Sequence, residues 1–458
     1  MAGRARLVVV GAGPAGLTSA AEASARGMQV TVVDEGAVLG GQFFRARQDS
    51  MAEGSPRRLG LGDADAQILL RTTVVDAPTD GVLATWSANR RIEYIEYDWL
   101  VLATGAYDRP VPIPGWTLPG VLTAGGAHAL AKTNGVVPGK RLLVAGSGPF
   151  ILAVADVLVA RGCSVTTLEA TPFTMQIAGL KAVVRDPELL RQAAGYMGRL
   201  ALHRATPRYG WMVTRIIGNE RVESAIVQRV DIEWRPVPGS EKALQVDGVC
   251  LGFGFVPRLD LAQLLGCSVA YQADSSDYRL QTNAHMRTTR ERIFAAGEVT
   301  GVAGVRVAHV EGRLAGLSVA REAGLVTAAE FELRQRDLSA RLGKLRRAAE
   351  WIRVAFRPRP ALWSLAQPPT VVCRCEDVTL EAAERALCAN SADPLSVKVA
   401  TRIGMGLCQG RICSPYLIEW LRAKHGYRPA AAGRPWSVRP PISPVPIGDL
   451  ASHTDRRR

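Results

Sequence analysis

Apolar residues run unbroken from Leu7 to Val10 and stop at Gly11-Ala12-Gly13-Pro14-Ala15-Gly16. A short apolar run closed by glycine reads as a buried strand. Helical spacing then carries the chain towards Gly27, and Gln29 to Val33 is apolar again, which predicts a strand, tight turn, helix and strand. The pattern recurs at Leu142 to Ala145, Gly146-Ser147-Gly148-Pro149-Phe150-Ile151, a helix to Arg161, and Ser164 to Leu168. Other strand ends are marked by Leu102-Ala103-Thr104-Gly105, Gly252-Phe253-Gly254 and Ile293-Phe294-Ala295-Ala296-Gly297-Glu298, the last preceding a helix near Val310. This order predicts a discontinuous first unit, residues 1–115 and 256–330, with a second unit of residues 116–255 inserted in it. Residues 331–366 are expected to form a linker, 367–430 a small cysteine-bearing domain, and 431–458 a proline-rich tail.

The glycine turns point to nucleotides. In the first, Gly11 permits the turn, Gly13 lets backbone approach a pyrophosphate, and Gly16 lets helix and strand pack closely. Pro14 and Ala15 open a helix whose first N–H groups are available to phosphate oxygens. Asp34 lies 23 positions beyond Gly11, with Glu35 next to it, where a carboxylate meets ribose hydroxyls and would repel a 2′-phosphate. In the repeat, Glu169 lies 23 positions beyond Gly146. Ile151 replaces the third glycine, so the helix is expected to stand farther from its sheet, which puts NAD(P) binding there in doubt.

Composition changes the picture only in part. The chain has 458 residues, 47% hydrophobic and 21% charged, enough for two or three packed units. No apolar stretch reaches about eighteen residues, so no transmembrane segment is expected. A cytosolic protein follows, with peripheral attachment to the inner membrane left open. The net charge of +14 is scattered, with small clusters at Arg346-Arg347 and Arg456-Arg457-Arg458, and no nucleic-acid module accompanies it.

Of the eight cysteines, five fall between Cys373 and Cys413, four of them in two close pairs. Cys163, Cys250, Cys267 and Cys388 stand alone, as small buried hydrophobes do. Thirty-two residues separate Cys373-x-Cys375 from Cys408-x4-Cys413. Four thiolates suit an iron–sulfur cluster or a structural zinc, and C-x-C is tighter than the usual zinc spacing.

Three segments, Gly40-Gly41-Gln42, Ala103-Thr104-Gly105 and Ala296-Gly297-Glu298, resemble those of two-dinucleotide-domain flavoproteins of the glutathione reductase and thioredoxin reductase type. The resemblance implies FAD at the first turn, with Gly41, Gln42, Ala103, Thr104, Gly105, Gly297 and Glu298 around it; Glu298 stands where such proteins usually have aspartate. Val372-Cys373-Arg374-Cys375-Glu376-Asp377 and Thr401 to Cys413 resemble the bacterioferritin-associated-ferredoxin type of [2Fe-2S] domain. That implies Cys373, Cys375, Cys408 and Cys413 as ligands, with Arg411 and the nearby glycines supplying room and donors to the sulfurs. The fold class so implied is α/β: two Rossmann-like dinucleotide-binding domains and a small α-rich C-terminal [2Fe-2S] domain.

Along its whole length the chain resembles the α (or A) subunits of heteromeric amine-oxidising flavoenzymes, including opine dehydrogenases, hydroxyproline dehydrogenase and the B subunit of hydrogen cyanide synthase. The resemblance implies a flavoprotein β subunit, D-amino-acid-oxidase-like, that oxidises a secondary amine or amino acid, and an electron acceptor. FMN at the subunit interface occurs in this group, although no residue here specifies it. Two other readings stay open: a stand-alone NADH-dependent reductase, and a structural subunit. No Cys-x-x-Cys lies near either glycine turn, which disfavours a disulfide reductase. His128, Arg306 and His309 lie in segments that could line a flavin, but a structural role is the simpler reading, and the catalytic residues stay unassigned.

Overall fold

Parallel strands buried on both faces need helices on each side. Strand Arg6–Val10 sits at the centre of such a sheet, in register with Gln29–Val33 on one side and Trp99–Leu102 on the other. Strands Ala66–Leu69 and Ile293–Ala295 complete it, in the order 293–295, 99–102, 6–10, 29–33, 66–69. The computed structural model describes residues 4–44, 66–176, 186–387, 392–430 and 436–454; Cys388 and Arg456 to Arg458 lie outside them.

Helix Pro14–Ser24 packs against helix Val305–Glu322 through two glycines one turn apart. A Cβ on Gly312 would fall 2.2 Å from the Ala15 carbonyl oxygen, and one on Gly316 2.4 Å from that of Ser19. Small residues at i and i+4 share a helix face, so the backbones can touch there. An antiparallel layer of Thr72–Thr79, Val82–Ser87 and Ile92–Glu96 covers part of this unit.

The inserted segment repeats the plan. Strands 208–209, 164–169, 141–146, 248–252 and 121–123 form a second parallel sheet in that order, with an antiparallel layer of Trp211–Ile217, Ser224–Arg229 and Lys242–Gln245. Two crossing strands, Ala106–Asp108 and Phe255–Pro257, pair antiparallel where the chain leaves the first unit and returns to it.

Residues 331–366 do not form an open linker. Ala328–Ala355 is one helix, started by Thr327, whose hydroxyl accepts the N–H of Glu330 at 3.3 Å. Phe331, Leu338 and Leu342 lie on one helical stripe and are buried in the core of the first unit.

The C-terminal unit comprises strands Val371–Cys373 and Val378–Thr379 and helices Leu380–Arg385, Pro394–Thr401 and Ser414–His425. Trp363, Val372, Tyr416 and Leu417 continue the core of the inserted unit, while Ile418 enters that of the first. The Trp116 indole donates to the Val371 carbonyl at 2.7 Å, fixing the same contact. The proline-rich segment is also packed. Trp436 and Ile442 are buried, the Ile442 N–H donates to the Val75 carbonyl at 2.8 Å, and Asp449 accepts from the Trp86 indole at 2.9 Å.

Candidate functional site

The first glycine turn is a cradle made by omitting side chains. Gly11 has φ of +111°, and a Cβ there would lie 2.2 Å from the Ala103 carbonyl oxygen. A Cβ on Gly16 would lie 1.8 Å from the Gly11 carbonyl oxygen, so the helix meets the turn at backbone contact. Gly13 and Gly41 face each other: a Cβ on Gly41 would stand 2.8 Å from the Gly13 Cα. Gly297 closes the other side, where its Cβ would meet that of Ala15 at 2.8 Å. The first-turn N–H groups of the Pro14–Ser24 helix have no acceptor within the helix, so the cradle suits an anionic, flat-lying ligand such as the pyrophosphate of a dinucleotide. These residues fit FAD.

Asp34 holds the turn as well as facing it. Its carboxylate accepts the Ala12 and Gly36 N–H groups, each at 2.6 Å, and keeps lone pairs for ribose hydroxyls. Glu35 points elsewhere and pairs with Arg258 at 2.6 Å. Thr104 donates to the Arg258 carbonyl at 2.7 Å, and the Arg258 N–H to that of Gly105 at 2.9 Å, tying this strand end to the returning crossover. Gln42 is exposed at the start of the short Gly41–Phe44 helix.

Glu298 accepts the Gly304 N–H at 2.8 Å and that of Ala303 at 3.3 Å. Desolvation nevertheless pushes its carboxyl up to about 7, with Glu311 adding to the rise. Glu311 is a residue the sequence reading passed over. It is 2% exposed and accepts from the Gly297 N–H and the Thr300 hydroxyl, both at 2.8 Å. An acid on the apolar face of helix Val305–Glu322 was the available signal, since a buried carboxylate needs partners.

The three side chains considered for flavin contact have other attachments. Arg306 pairs with Asp186 and Glu188. His128 lies tilted against Phe150, ring centres 5.5 Å apart, its pKa held down to about 4 by burial; His309 meets Phe44 edge-on at 5.9 Å, its pKa also lowered by burial.

At the second turn Glu169 repeats the role of Asp34, accepting the Gly148 N–H at 2.9 Å and the Thr171 N–H at 2.8 Å. Burial pushes its carboxyl up to about 7. Two features set this turn apart. Phe356, just past helix Ala328–Ala355, covers Gly148, whose Cβ would touch the Phe356 Cβ at 3.8 Å. Ile151 is fully buried, with room made by a different glycine: a Cβ on Gly252 would lie 3.2 Å from the Ile151 side chain. The missing third glycine is thus offset from the neighbouring strand.

The four C-terminal thiols come together in pairs, Cys373 with Cys413 and Cys375 with Cys408. Cys373 and Cys413 are buried, Cys408 is half-buried and Cys375 is exposed. The Cys413 thiol, with backbone N–H donors from Gly404, Glu376 and Cys375, holds Cys373 down to about 6. The Ile412 and Gly410 N–H groups face Cys408. Gly406 makes room for Cys375, since its own Cβ would lie 2.3 Å from that of the cysteine. Among the described residues no three His, Cys, Asp or Glu side chains converge as ligands of one ion. The donor set of paired thiols under backbone N–H groups fits a cluster that takes two thiolates per iron.

Arg411 is not a donor to these sulfurs. Its guanidinium pairs with Asp260 at 2.9 Å and donates to the Ile442 carbonyl. It joins the thiol unit to the first unit and to the tail, because nearly buried Asp260 would otherwise lack a counter-charge and the Ile442 carbonyl a donor. Trp436 lies over Gly404 and Gly410, 3.2 and 3.1 Å from their Cβ positions, and the Gln409 amide donates to the Pro441 carbonyl at 2.6 Å. Cys163, Cys250 and Cys267 are buried free thiols.

Residues 5–324 match the family described as pyridine nucleotide-disulphide oxidoreductase. The A subunit of opine oxidase from Rhizobium meliloti is 31% identical over 98% of this chain and 88% of its own length. The HcnB subunit of hydrogen cyanide synthase from Pseudomonas aeruginosa is 33% identical over 96% of this chain and 97% of its own. Among solved structures, L-proline dehydrogenase from P. horikoshii superposes with a TM-score of 0.68 at 19% identity, covering 98% of this chain and 81% of that one. Thioredoxin reductase of T. acidophilum matches at 0.51 and 20% identity over 69% of this chain and 98% of its own. No helix among the described residues is long and apolar enough to cross a membrane.

Proposed function

The chain belongs to the pyridine nucleotide-disulphide oxidoreductase family and is a flavin-dependent oxidoreductase, and from that premise we propose that it is the electron-transfer subunit of a heteromeric enzyme. A partner flavoprotein subunit, D-amino-acid-oxidase-like, oxidises a secondary amine or amino acid of the opine, hydroxyproline or glycine type. This chain then conducts the electrons to an acceptor.

In this reading Gly11, Gly13, Pro14, Ala15, Gly16 and Gly41 seat the FAD pyrophosphate. Asp34 orients the adenosine ribose, while Gly297 and Glu298 face the ribityl side; Glu35, engaged by Arg258, acts by holding the strand end. Ala103, Thr104 and Gly105 form the floor, and Gln42 borders the groove. Cys373, Cys375, Cys408 and Cys413 hold a [2Fe-2S] cluster. The bound groups supply electron acceptance and release, and the chain positions them and excludes water from the buried thiols. The relatives' subunit names support a partner chain.

The observation that carries this reading is the contrast between the two glycine turns. Gly13 of the first faces only the backbone of Gly41, while the Phe356 side chain lies against the corresponding Gly148 of the second, which supports electron entry from a partner rather than from a nicotinamide donor. The test is anaerobic co-purification with the associated chain, followed by flavin, iron and acid-labile sulfide analysis and by reduction with N-alkyl amino acids and opines. Bleaching of the flavin by amine only when the partner is present is expected. Rapid bleaching of the isolated chain by NADH would overturn the reading in favour of a stand-alone reductase, and a colourless protein would leave only a structural role.

A further inference from the structure

We infer that Arg346, on a helix outside the 5–324 family match, is a positioning residue for the flavin: through Glu311 it fixes the Gly297–Thr300 turn against the dinucleotide cradle. The inference rests on the FAD assignment above and deepens it.

The connections are continuous. Arg346 donates to one Glu311 carboxylate oxygen through Nη2 at 2.7 Å and Nε at 3.2 Å. The other oxygen accepts the Gly297 N–H and the Thr300 hydroxyl, so one buried carboxylate clamps both ends of the turn that carries Glu298. The backbone under Glu311 is itself immobile, because the next residue, Gly312, meets the Ala15 carbonyl at backbone contact. Gly297 in turn lies on Ala15, in the first turn of the Pro14–Ser24 helix. A displacement of Gly297 is therefore felt at the phosphate cradle as well as at Glu298.

Charge explains why an arginine is needed. Glu311 is 2% exposed and Glu298 is close enough to feel it. A buried carboxylate needs a counter-charge, and Arg346 supplies it on one Glu311 oxygen while the other keeps its two donors. Two N–H groups of one planar guanidinium converge on the former oxygen, which fixes orientation as well as charge. Without it the buried carboxylate loses its counter-charge and its hold on Gly297 and Thr300 weakens.

The experiment compares holoprotein of the wild type, Arg346→Gln, Arg346→Lys and Arg347→Gln, the last removing an exposed charge from the same helix. Folding is followed by thermal denaturation, FAD affinity by titration of the deflavinated protein, and the flavin by its visible spectrum and midpoint potential. For Arg346→Gln the expectation is FAD binding weaker by about ten-fold or more, as the loss of a charge-assisted bond implies, with a shifted potential and a changed flavin envelope. Arg346→Lys should recover part of the affinity and Arg347→Gln should match the wild type. Unchanged FAD affinity and potential in Arg346→Gln would overturn the inference. Should Arg346→Gln fail to fold, wild-type affinity and potential in Arg346→Lys would do so. A wild type that binds no flavin overturns instead the cofactor assignment on which the inference rests.

Discussion

Replacing Arg411 by methionine separates two roles for that residue, because it keeps the length of the side chain and removes its charge. Arg411 is 18% exposed and its partner Asp260 is 9% exposed, so the pair is largely screened from water. Removing one member of such a pair strands the other, at a cost of about 3 kcal/mol, the lower end of the range for fully buried pairs. The lost bond to Ile442 adds to it. A change of that size raises the population of opened molecules roughly a hundred-fold. It should be read by native-state hydrogen exchange of helix Ser414–His425, which lies next to Arg411 and packs on both dinucleotide units. Its protection should fall in Arg411→Met, and Asp260→Asn in the same background should restore a good part of it, since no buried charge is then left unpaired. Unchanged protection in Arg411→Met would refute the argument.

Three further outcomes follow. Gly11→Ala places a Cβ 2.2 Å from the Ala103 carbonyl oxygen at φ +111°, so the purified protein should carry no flavin; stoichiometric flavin would show that the turn relaxes. Glu169 has a folded pKa raised from 4.5 to about 7. The stability it confers is therefore full below about 4.5 and lost as pH rises through about 7, a loss of about 3 kcal/mol. Denaturant titrations of Glu169→Gln between pH 5 and 8, of the order of that window, should show a flatter dependence than wild type, and parallel curves would disprove it. Phe356→Ala uncovers Gly148, so NADH should quench protein fluorescence in the variant more than in the wild type; equal titrations would mean that Phe356 does not guard the turn.

The glycine turns, the acids closing their second strands and the paired cysteines were all legible in the chain. Each is local: a turn that admits no side chain, a strand whose apolar run is buried, or thiols one and four residues apart. The helix within 331–366 was missed and the stretch taken for a linker: Phe331, Leu338 and Leu342 keep helical spacing, but many charges on the other faces obscured it. What no local pattern could supply was the choice of distant partner. Arg411 meets Asp260 across 151 residues, Gly252 rather than a third glycine makes room for Ile151, and Phe356 lies against Gly148. Buried charges and close backbone contacts are satisfied by whichever group the fold brings within about 3 Å, and that proximity is created by the packing of sheets and helices. Sequence thus determined where nucleotides and thiolates could be held; tertiary structure decided which groups stand against each turn and what binds the units together.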